Sequence, residues 1–472
     1  MRKTKIICTL GPACDDYEVL KELALSGMNC ARLNFSHGTH EQQLVRINRV
    51  KKLREELGIA LPILLDTKGP EIRFKDFENG AIEVKKGDKF TLLSDPTILG
   101  DNTKGALSFP YLAKSVHPGV KILVDDGKIG LNVLEVVGDS VICEVLNDGR
   151  ISNHKSLNVP NVEIDMVYLS PTDVSDLEFG CSQDVDFIAA SFVRCAQDVR
   201  DVKAVLNRCG RNDIMIIAKI ENMQGINNVD EILEEADGLM VARGDMGVEV
   251  DFDMLPAIQK DMISKCYRKG KIVVTATQML ESMTKNPRPT RAEVSDVANA
   301  VYDRTTATML SGESAAGMYP IQAVSAMSKI NESAEKSINY LKRFHRYHLD
   351  LGNTHLSSIC NAAVNASFQV DAKAIVCMTN RGITARVISA YRPACPIIAA
   401  VVDEKAYRQL SLAWGVLPVK SEMKYTTDDI LTHGIEVAKS TGLVNVGDTI
   451  IVTGSSAIGI GSTDMMQIIT VK

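Results

Sequence analysis

A repeated unit in the first two-thirds of the chain most constrains the fold. Short runs rich in β-branched residues end in a glycine or a charged residue, and a stretch with helical spacing of apolar residues follows each. The runs predicted as strands are residues 5–10, 30–35, 62–66, 186–192, 214–221, 238–242, 272–278 and 307–311. Eight strand–helix units in one chain segment indicate an α/β fold of the TIM (β/α)8 barrel type.

The segments between these runs carry helix signals. The spacing predicts helices that include residues 16–26, 41–56, 228–236, 253–268 and 291–302. Gly27 follows the first helix, at the position where a C-terminal cap requires a positive φ. Ser170 and Pro171 predict the start of another helix, with serine as the cap and proline at the first helical position.

The repeat is interrupted once and then replaced by a different pattern. Between Gly69 and about Tyr168, apolar and polar residues alternate and turn signals such as Asn79-Gly80 separate the runs, which predicts a small all-β module. Continuous apolar runs return at residues 374–378, 396–402 and 448–452 and predict a mostly parallel sheet. We therefore expect a catalytic barrel from residues 1–69 and 169–345, an inserted β-barrel lid from 70–168, and a C-terminal α/β regulatory domain from 346–472.

Composition excludes several classes of protein. The net charge of −6 argues against a nucleic-acid-binding protein, and the chain contains no apolar run long enough to cross a membrane. The eleven cysteines include no C-x-x-C pair, so neither a zinc site nor a disulfide framework is indicated. Scattered cysteines within apolar runs are typical of a reducing compartment, and we expect a cytoplasmic protein.

Polar side chains are concentrated at the carboxyl ends of the predicted barrel strands, which face the active site in folds of this kind. A single such residue is usually a solvated strand end or part of an ion pair. Six of the eight predicted strands carry them, and this indicates a functional site. In strand order they are Arg32, Asn34, Ser36 and His37; Asp66, Thr67, Lys68 and Arg73; Lys219 and Glu221; Arg243, Gly244 and Asp245; Thr277 and Gln278; and Ser311 and Glu313.

The residue types indicate what this site binds. Glu221 and Asp245 supply carboxylates, the ligands that Mg²⁺ prefers alongside substrate oxygens and water. Arg32 and Arg73 offer planar forks that suit phosphate. Lys219 lies two residues before Glu221 on one strand, so both side chains point to one face, where an ammonium can neutralise a transferring phosphoryl group.

A turn at residues 242–247 leads into a predicted short helix, whose free N–H groups suit an anion. Together these residues support Mg²⁺-dependent chemistry on a small anionic substrate. They leave phosphoryl transfer and aldol cleavage of an oxoacid both open.

Longer strings distinguish between these reactions. RLNFSHG (32–38), LDTKGPEIR (65–73), IAKIEN (217–222), MVARGDMG (240–247), ATQMLESM (276–283) and KNPRPTRAE (285–293) resemble motifs of the pyruvate kinase family. The similarity runs to about residue 340 and continues more weakly beyond it. It is closest to bacterial members without an appended extra C-terminal domain. The resemblance implies transfer of the phosphoryl group of phosphoenolpyruvate to ADP in glycolysis, with protonation of enolpyruvate at the same site.

The resemblance also implies roles for individual residues in the barrel. Lys219 is expected to stabilise the phosphoryl group in flight, and Glu221 and Asp245 to hold Mg²⁺ or Mn²⁺. Arg32 and Arg73 are expected to contact substrate phosphates. The backbone at Gly244 and Asp245 and the side chain of Thr277 are expected to bind the substrate carboxylate. Thr277 is also expected near the methylene carbon that is protonated through water.

The remaining ligands follow from the same resemblance. Asn34, Ser36, Asp66 and Thr67 are the expected K⁺ ligands. His37 and, on the inserted module, Lys155 are the expected nucleotide contacts, and a second Mg²⁺ arrives with ADP. Glu71 stands where relatives that dispense with K⁺ carry lysine.

Two regions depart from the family pattern. Ser156 and Asn161 replace two glycines in the return from the insert, which predicts a stiffer hinge. The loop of the last domain that often binds a phosphorylated effector reads Thr379-Asn380-Arg381-Gly382-Ile383-Thr384, before a helix expected to begin near Ala385. We expect it to bind a phosphorylated allosteric effector, although an ordinary strand-to-helix connection explains the pattern almost equally well. The family further implies a homotetramer.

Two other functions are alternatives to an active kinase. A metal-dependent lyase or aldolase acting on oxoacids shares the barrel and the metal, but it has no use for a lid that clamps a nucleotide or for paired arginines. A catalytically inactive relative is disfavoured because every catalytic position carries the expected residue.

Overall fold

The computed structural model describes residues 1–455 and 463–472. The chain begins with three strands and two helices, with a short 3-10 helix at Pro12–Cys14 between the first strand and the first helix. In chain order these elements are β1 (Lys5–Thr9), α1 (Tyr17–Ser26), β2 (Cys30–Asn34), α2 (His40–Leu57) and β3 (Ile63–Asp66).

The segment after β3 contains short strands and a 3-10 helix at Leu112–Lys114. The strands are β4 (Ile72–Arg73), β5 (Ala81–Val84), β6 (Lys89–Leu93), β7 (Lys104–Ala106), β8 (Lys121–Val124), β9 (Ile129–Val137), β10 (Ser140–Val145), β11 (Gly149–Ser152) and β12 (Ser156–Asn158). They form a seven-stranded sheet in the order β4-β12-β8-β9-β10-β6-β7 and a two-stranded sheet of β11 and β5. This unit, here called the insert, encloses its own apolar core around Phe74 and Phe90.

Strands and helices then alternate, with a 3-10 helix at Glu281–Thr284. The helices are α3 (Pro171–Ser182), α4 (Ala196–Arg208), α5 (Met223–Asn227), α6 (Val229–Glu235), α7 (Arg243–Glu249), α8 (Leu255–Arg268), α9 (Arg291–Tyr302), α10 (Gly312–Ala315) and α11 (Pro320–Lys336). The strands are β13 (Phe187–Ala190), β14 (Met215–Ile220), β15 (Gly238–Ala242), β16 (Ile272–Ala276) and β17 (Ala307–Leu310).

Eight parallel strands close into a barrel in the order β1-β17-β16-β15-β14-β13-β3-β2. Each matches one of the eight predicted runs, so the predicted fold class is confirmed. The cap signals are confirmed as well: Gly27 has φ 128, and Ser170 forms a capping box with Asp173. We call the carboxyl ends of these strands the mouth and the amino ends the base.

The rest of the chain forms a second α/β layer. Its elements are α12 (Tyr340–Arg346), α13 (His355–Gln369), β18 (Ala374–Thr379), α14 (Ile383–Tyr391), β19 (Ile397–Val401), α15 (Glu404–Leu410), β20 (Val416–Lys420), α16 (Thr427–Ser440), β21 (Thr449–Gly454) and β22 (Met465–Thr470). The sheet order is β20-β19-β18-β21-β22, and only β22 runs antiparallel to its neighbour.

The predicted mostly parallel sheet is therefore present, with two strands, β20 and β22, that the sequence analysis did not identify. Both lie at edges of the sheet, and β20 contains Pro418, a residue that edge strands tolerate. In the described part of the chain, no helix has the length and apolar character needed to span a membrane.

Candidate active site

The centre of the mouth is the ammonium group of Lys219 at the end of β14. Its Nζ lies 2.7 Å from Ser191 Oγ, 3.0 Å from Asp66 Oδ1 and 3.1 Å from Glu221 Oε1. Burial alone would lower the pKa of Lys219, but the carboxylates of Asp66 and Glu221 outweigh burial and raise it above its ordinary value. A fixed positive charge therefore lies among acceptors from three neighbouring strand ends.

Arg32, at the mouth end of β2, is held by the same carboxylate. Its Nε donates to Asp66 Oδ2 at 2.7 Å and its Nη1 donates to Thr9 Oγ1 at 2.8 Å. Burial disfavours the ionised Asp66, yet Arg32 and Lys219 together hold the pKa of Asp66 below its usual value. Among the described residues, Nη2 of Arg32 has no hydrogen-bond partner, so one edge of the guanidinium is free for a ligand.

Glu221 follows β14 and is almost fully buried. Its Oε2 accepts a hydrogen bond from the backbone N–H of Phe192 at 2.6 Å, while Oε1 has no hydrogen-bond partner in the described part of the chain. Burial raises the pKa of Glu221 to about 8; Lys219 opposes this shift and the charge of Asp245 adds to it. Oε1 instead forms an ion pair with the Lys219 ammonium at 3.1 Å and keeps lone pairs that can bind a metal cation.

The mouth ends of β15 and β16 are joined by Arg243. Its Nη1 pairs with Asp296 at 2.7 Å and its Nη2 donates to the carbonyl of Thr277 at 2.6 Å. Thr277 adopts φ 65, and its Oγ1 accepts from the N–H of Gly244 at 2.8 Å. A β-branched residue in this region is strained, and Arg243 helps to hold it there. Asp245 lies in the first turn of α7.

Gln278 follows β16 and is uncharged. Glu313, the acidic residue after β17, adds no free charge to the mouth. Glu313 is buried, and its two oxygens accept from the backbone N–H groups of Leu280 and Ser311 at 3.0 and 2.8 Å. Burial raises the pKa of Glu313. This side chain therefore fixes the loops around the mouth.

The insert supplies two of the predicted site residues. Arg73 in β4 forms a two-pronged ion pair with Glu71, with Nη2 2.8 Å from Oε2, and Nη1 donates to the carbonyl of His154. Lys155 Nζ lies 2.7 Å from Asp125 Oδ1. Both cations have partners on the insert itself, so substrate binding at either one must compete with an existing pair.

Two cavities open beside the mouth. One, of about 450 Å³, lies between the insert and the barrel, and its lining includes Arg73, Lys155 and Asp245. The other, of about 780 Å³, is lined by residues including Thr9, Arg32, Asn34 and His37. The two predicted nucleotide contacts, His37 and Lys155, thus line different cavities.

The four predicted K⁺ ligands come from two adjacent strand ends. Asn34 and Asp66 are paired in register between β2 and β3, and Ser36 and Thr67 follow them closely in the chain. The Oδ1 of Asn34 accepts from the N–H of Ser36 at 3.0 Å, and Thr67 Oγ1 accepts from the N–H of Ser191 at 3.1 Å. The residues are therefore neighbours, with their oxygens partly used by the protein.

The loop predicted to bind an effector joins β18 to α14. Gly382 has φ 77, and its N–H donates to Thr379 Oγ1 at 3.1 Å; Thr384 Oγ1 lies 2.6 Å from Thr463 Oγ1. The loop residues Thr379, Asn380, Arg381 and Thr384 line a cavity of about 560 Å³. The helix begins at Ile383, two residues earlier than expected, because the left-handed conformation of Gly382 ends the loop.

Two residues that touch the central charges were not predicted from the sequence. Ser191 accepts from Lys219, and Thr9 accepts from Arg32. Both are buried hydroxyls at the ends of β13 and β1, the two barrel strands from which no site residue was predicted. The uniform contribution of the other six strands was the signal that could have identified them.

The fold and the mouth together define a class of protein. The protein is a (β/α)8-barrel enzyme with a buried ammonium, a buried carboxylate beside it, and arginines suited to phosphate. Among residues 1–455 and 463–472 no three His, Cys, Asp or Glu side chains are grouped to hold a metal ion. Glu221 and Asp245 supply two carboxylates near the mouth, and Mg²⁺ is often bound through one or two carboxylates together with substrate oxygens and water.

Comparisons with known proteins identify the family. Residues 1–324 match the family described as pyruvate kinase, barrel domain, and residues 357–469 match pyruvate kinase, alpha/beta domain. The chain is 47% identical to a pyruvate kinase of Clostridium perfringens, with 99% of each chain covered. It is 45% identical to one of Clostridium acetobutylicum, with 100% of each covered. A crystal structure of a pyruvate kinase from Cryptosporidium parvum aligns with a TM-score of 0.95 at 38% identity, covering 100% of this chain and 96% of that one.

The chain belongs to the pyruvate kinase family. It is a phosphotransferase of glycolysis that transfers the phosphoryl group of phosphoenolpyruvate to ADP, which gives pyruvate and ATP. The reaction predicted from the sequence is confirmed. Members of this family need a divalent metal ion and K⁺.

Proposed function

We propose that Lys219 carries the phosphoryl transfer by electrostatic stabilisation. The observation that carries this proposal is the buried ammonium, 2.7–3.1 Å from Ser191, Asp66 and Glu221. A cation fixed before substrate arrives stabilises negative charge on the phosphoryl group without reorganising during the reaction. Arg32, through its free edge, and Arg73, after leaving Glu71, bind the phosphate oxygens.

Glu221 and Asp245 are the residues proposed to hold the divalent metal, Mg²⁺ or Mn²⁺. The Oε1 of Glu221 supports this assignment, since it accepts no hydrogen bond in the described part of the chain, and a metal cation there would join Lys219 in offsetting the cost of burying the carboxylate. When bound, the metal neutralises charge on substrate oxygens. A second Mg²⁺ is expected to arrive with ADP.

Thr277 and the start of α7 are proposed to bind the substrate carboxylate. The backbone of Gly244 and Asp245 forms the first turn of that helix, whose N–H groups and dipole favour an anion. The hydroxyl of Thr277 is held 2.8 Å from the Gly244 N–H and lies beside that turn. Protonation of enolpyruvate at the same site, through a water near Thr277, completes the proposed reaction.

Asn34, Ser36, Asp66 and Thr67 are proposed as the K⁺ ligands. Position 71 carries a carboxylate, which pairs with Arg73, so no fixed ammonium at this position can take the place of the K⁺ ion. Glu71→Lys should therefore reduce the dependence on K⁺, because an ammonium can replace a monovalent cation whereas a carboxylate cannot. Activity of the wild type and Glu71→Lys is measured with K⁺ and with a bulky organic cation. Full wild-type activity without K⁺ would refute the assignment.

The insert, residues 70–168, is proposed to act as a lid that closes over the nucleotide. His37 and Lys155 line the two cavities beside the mouth, and closure would bring their walls onto one ligand and exclude water. Crystal structures with and without ADP should differ in the angle between insert and barrel. An unchanged angle would contradict the lid.

The loop from Thr379 to Thr384 is proposed to bind a phosphorylated effector, with Asn380, Arg381 and Gly382 contributing backbone or charge. The 560 Å³ cavity and the adjoining N-terminus of α14 support this proposal. Fructose 1,6-bisphosphate, AMP and ribose 5-phosphate are titrated at sub-saturating phosphoenolpyruvate against wild type and Thr384→Ala. Activation by one of them that Thr384→Ala removes is the expected result; no activation, or activation that Thr384→Ala leaves untouched, would refute the site.

The last part of the proposal concerns the domains, the oligomeric state and the cellular location. We propose the barrel at residues 1–69 and 169–345, the lid at 70–168 and the regulatory domain at 346–472, assembled as a cytoplasmic homotetramer. The decisive experiment for the reaction is an assay coupled to lactate dehydrogenase with phosphoenolpyruvate, ADP, Mg²⁺ and K⁺. Pyruvate formation that requires ADP is expected; pyruvate release without ADP, or no turnover, would contradict the proposed roles.

A further inference from the structure

A fourth cavity, of about 180 Å³, lies where the base of the barrel meets the C-terminal layer. It is far smaller than the drug-sized pockets of roughly 300–1,000 Å³. It shares no lining residue with the cavities at the mouth or at the effector loop. Its charged lining consists of three cations and one carboxylate: Lys271, Arg386, Arg392 and Asp237.

Arg392 is the least satisfied of these groups. Its side chain is buried over the ring of Trp414, with the guanidinium carbon 4.5 Å from the ring centroid. Only Nη2 donates, in long hydrogen bonds of 3.2 Å to the carbonyl of Arg304 and 3.3 Å to Thr306 Oγ1. In the described part of the chain Nε and Nη1 have no partner. A buried guanidinium in this state requires an acceptor.

The neighbouring charges do not supply that acceptor. Asp237 is the one carboxylate in the lining, and its Oδ2 already accepts from the N–H of Ile216 at 2.8 Å. Arg386 adds a second guanidinium, which donates to Gln409 Oε1 at 3.0 Å. Burial lowers the pKa of Arg392 to about 9 and also lowers the pKa of Arg386.

We propose that this cavity binds a small oxyanion, either inorganic phosphate or the phosphate group of a small phosphomonoester, between Arg386 and Arg392. Planar guanidinium groups match the oxygens of a tetrahedral anion. The bound anion would contact the barrel base and the C-terminal layer together, because Thr306 and Lys271 come from the barrel and both arginines from α14 or its cap. This inference is independent of the residue roles proposed at the mouth. Arg386 Nη1 also donates to the carbonyl of Arg381 in the effector loop at 3.2 Å, so the test includes variants of Arg392 and of the loop itself.

The chain offers a direct probe of this site. Trp414 is the only tryptophan among 472 residues and lines the cavity. Its fluorescence is followed while the full chain is titrated with inorganic phosphate, with glycerol 2-phosphate as the phosphomonoester, and with chloride at matched ionic strength. A saturable change with phosphate or the ester, absent with chloride, is expected. Tighter binding of the ester would identify a phosphomonoester site, and equal or tighter binding of phosphate a free-phosphate site.

Four variants test whether the fluorescence change comes from binding in this cavity. Arg386→Met should weaken binding by about tenfold or more, since it removes charged hydrogen-bond donors. Arg208→Met, the same substitution in an exposed ion pair with Glu178, and Thr384→Ala in the effector loop should leave the affinity unchanged. If Arg386→Met does not fold, Arg392→Lys, which keeps the charge and removes the fork, must show the weakening. No saturable response, or one that Thr384→Ala removes and the arginine variants do not, would overturn the proposal.

Discussion

The base and the mouth of the barrel each face another unit of the chain, but the contacts differ in kind. At the base, α15 places Lys405 and Arg408 against the barrel: Lys405 Nζ lies 3.0 Å from Asp184 Oδ1, and Arg408 Nε lies 2.7 Å from Asp186 Oδ1. Gln409 donates to the carbonyls of Asp186 and Asp213. The base is therefore joined to the C-terminal layer by a network of ionic and polar contacts from α15.

At the mouth, the strands of the insert contact the barrel far more sparsely. From the strands themselves, the side-chain hydrogen bond found among the described residues runs from Asn158 Nδ2 to Glu249 Oε1 at 2.9 Å. The others involve the return segment, where Tyr168 donates to the carbonyl of Ser191 and Arg194 donates to the carbonyls of Ile164 and Met166. A cavity of about 450 Å³ lies between the insert and the barrel, and a second of about 780 Å³ beside the mouth is lined by barrel residues alone. The difference supports the proposed lid, because the C-terminal layer is held to the barrel by many more side-chain contacts than the insert is.

The largest effect on stability is expected at the base. Arg408→Met leaves the fully buried Asp186 with Arg54 as its remaining cation. Breaking one partner of a buried ion pair costs roughly 3–5 kcal/mol, and we expect about the lower value here. Thermal unfolding should show a clear fall in midpoint, while turnover per folded molecule changes little.

Arg208→Met is the matched control for that experiment, because its ion pair with Glu178 is exposed and is worth at most about 1 kcal/mol. Equal midpoints for the two variants would show that the base is not held by its ionic network.

A smaller effect is expected from the arginine that stiffens the mouth itself. Arg243→Met releases the carbonyl of Thr277 from its 2.6 Å hydrogen bond, so the strained backbone at Thr277 can relax. Misplacement of a positioned group can cost about a hundredfold in rate, and we expect kcat to fall by roughly 10–100-fold. The coupled assay measures it. Asp296→Asn, which keeps the bond from Arg243 to Thr277, should retain most of the activity; equal losses would mean that the ion pair with Asp296, and not the hold on Thr277, matters.

The smallest effect is expected at the link between insert and mouth. Asn158→Ala removes one hydrogen bond to a carboxylate, worth about 1 kcal/mol, and should shift the insert towards an open position. The KM for ADP should rise by about fivefold with little change in thermal stability. Asn132→Ala, in β9 and without a side-chain hydrogen bond among the described residues, is the control. A KM that stays at the wild-type value would argue against a role for this contact in closure.

The sequence predicted most of the fold because local signals and the global fold agree in the barrel. Its strands are buried on both faces and therefore read as continuous β-branched runs, and Gly27 and Ser170 mark helix ends by their backbone requirements alone. The two strands that were missed, β20 and β22, lie at sheet edges and are only partly buried. Half-exposed edge strands carry a weaker apolar pattern.

The site was predictable where a residue type is rare at its position. Charged side chains such as Lys219 and Glu221 are conspicuous within apolar strands, whereas Ser191 is a common residue whose role depends on which strand lies beside it. The sequence also does not show which groups a charged side chain will contact in the folded protein. Arg32 lies near the mouth end of β2 and Arg243 directly follows β15, yet Arg32 keeps one edge free for a ligand and Arg243 is turned to Asp296 and a carbonyl.

The central claim is that Lys219 stabilises the transferring phosphoryl group and does not protonate carbon. Lys219→Met tests it when two reactions of the same protein are measured, with Mg²⁺ and K⁺ present: pyruvate formation from phosphoenolpyruvate and ADP, and exchange of the methyl protons of pyruvate with solvent. Loss of a preorganised cation should lower the first rate by at least about 10²–10³-fold. Exchange should continue at a rate near that of the wild type. Near-native turnover, or loss of both reactions together in a variant that remains folded, would contradict the account.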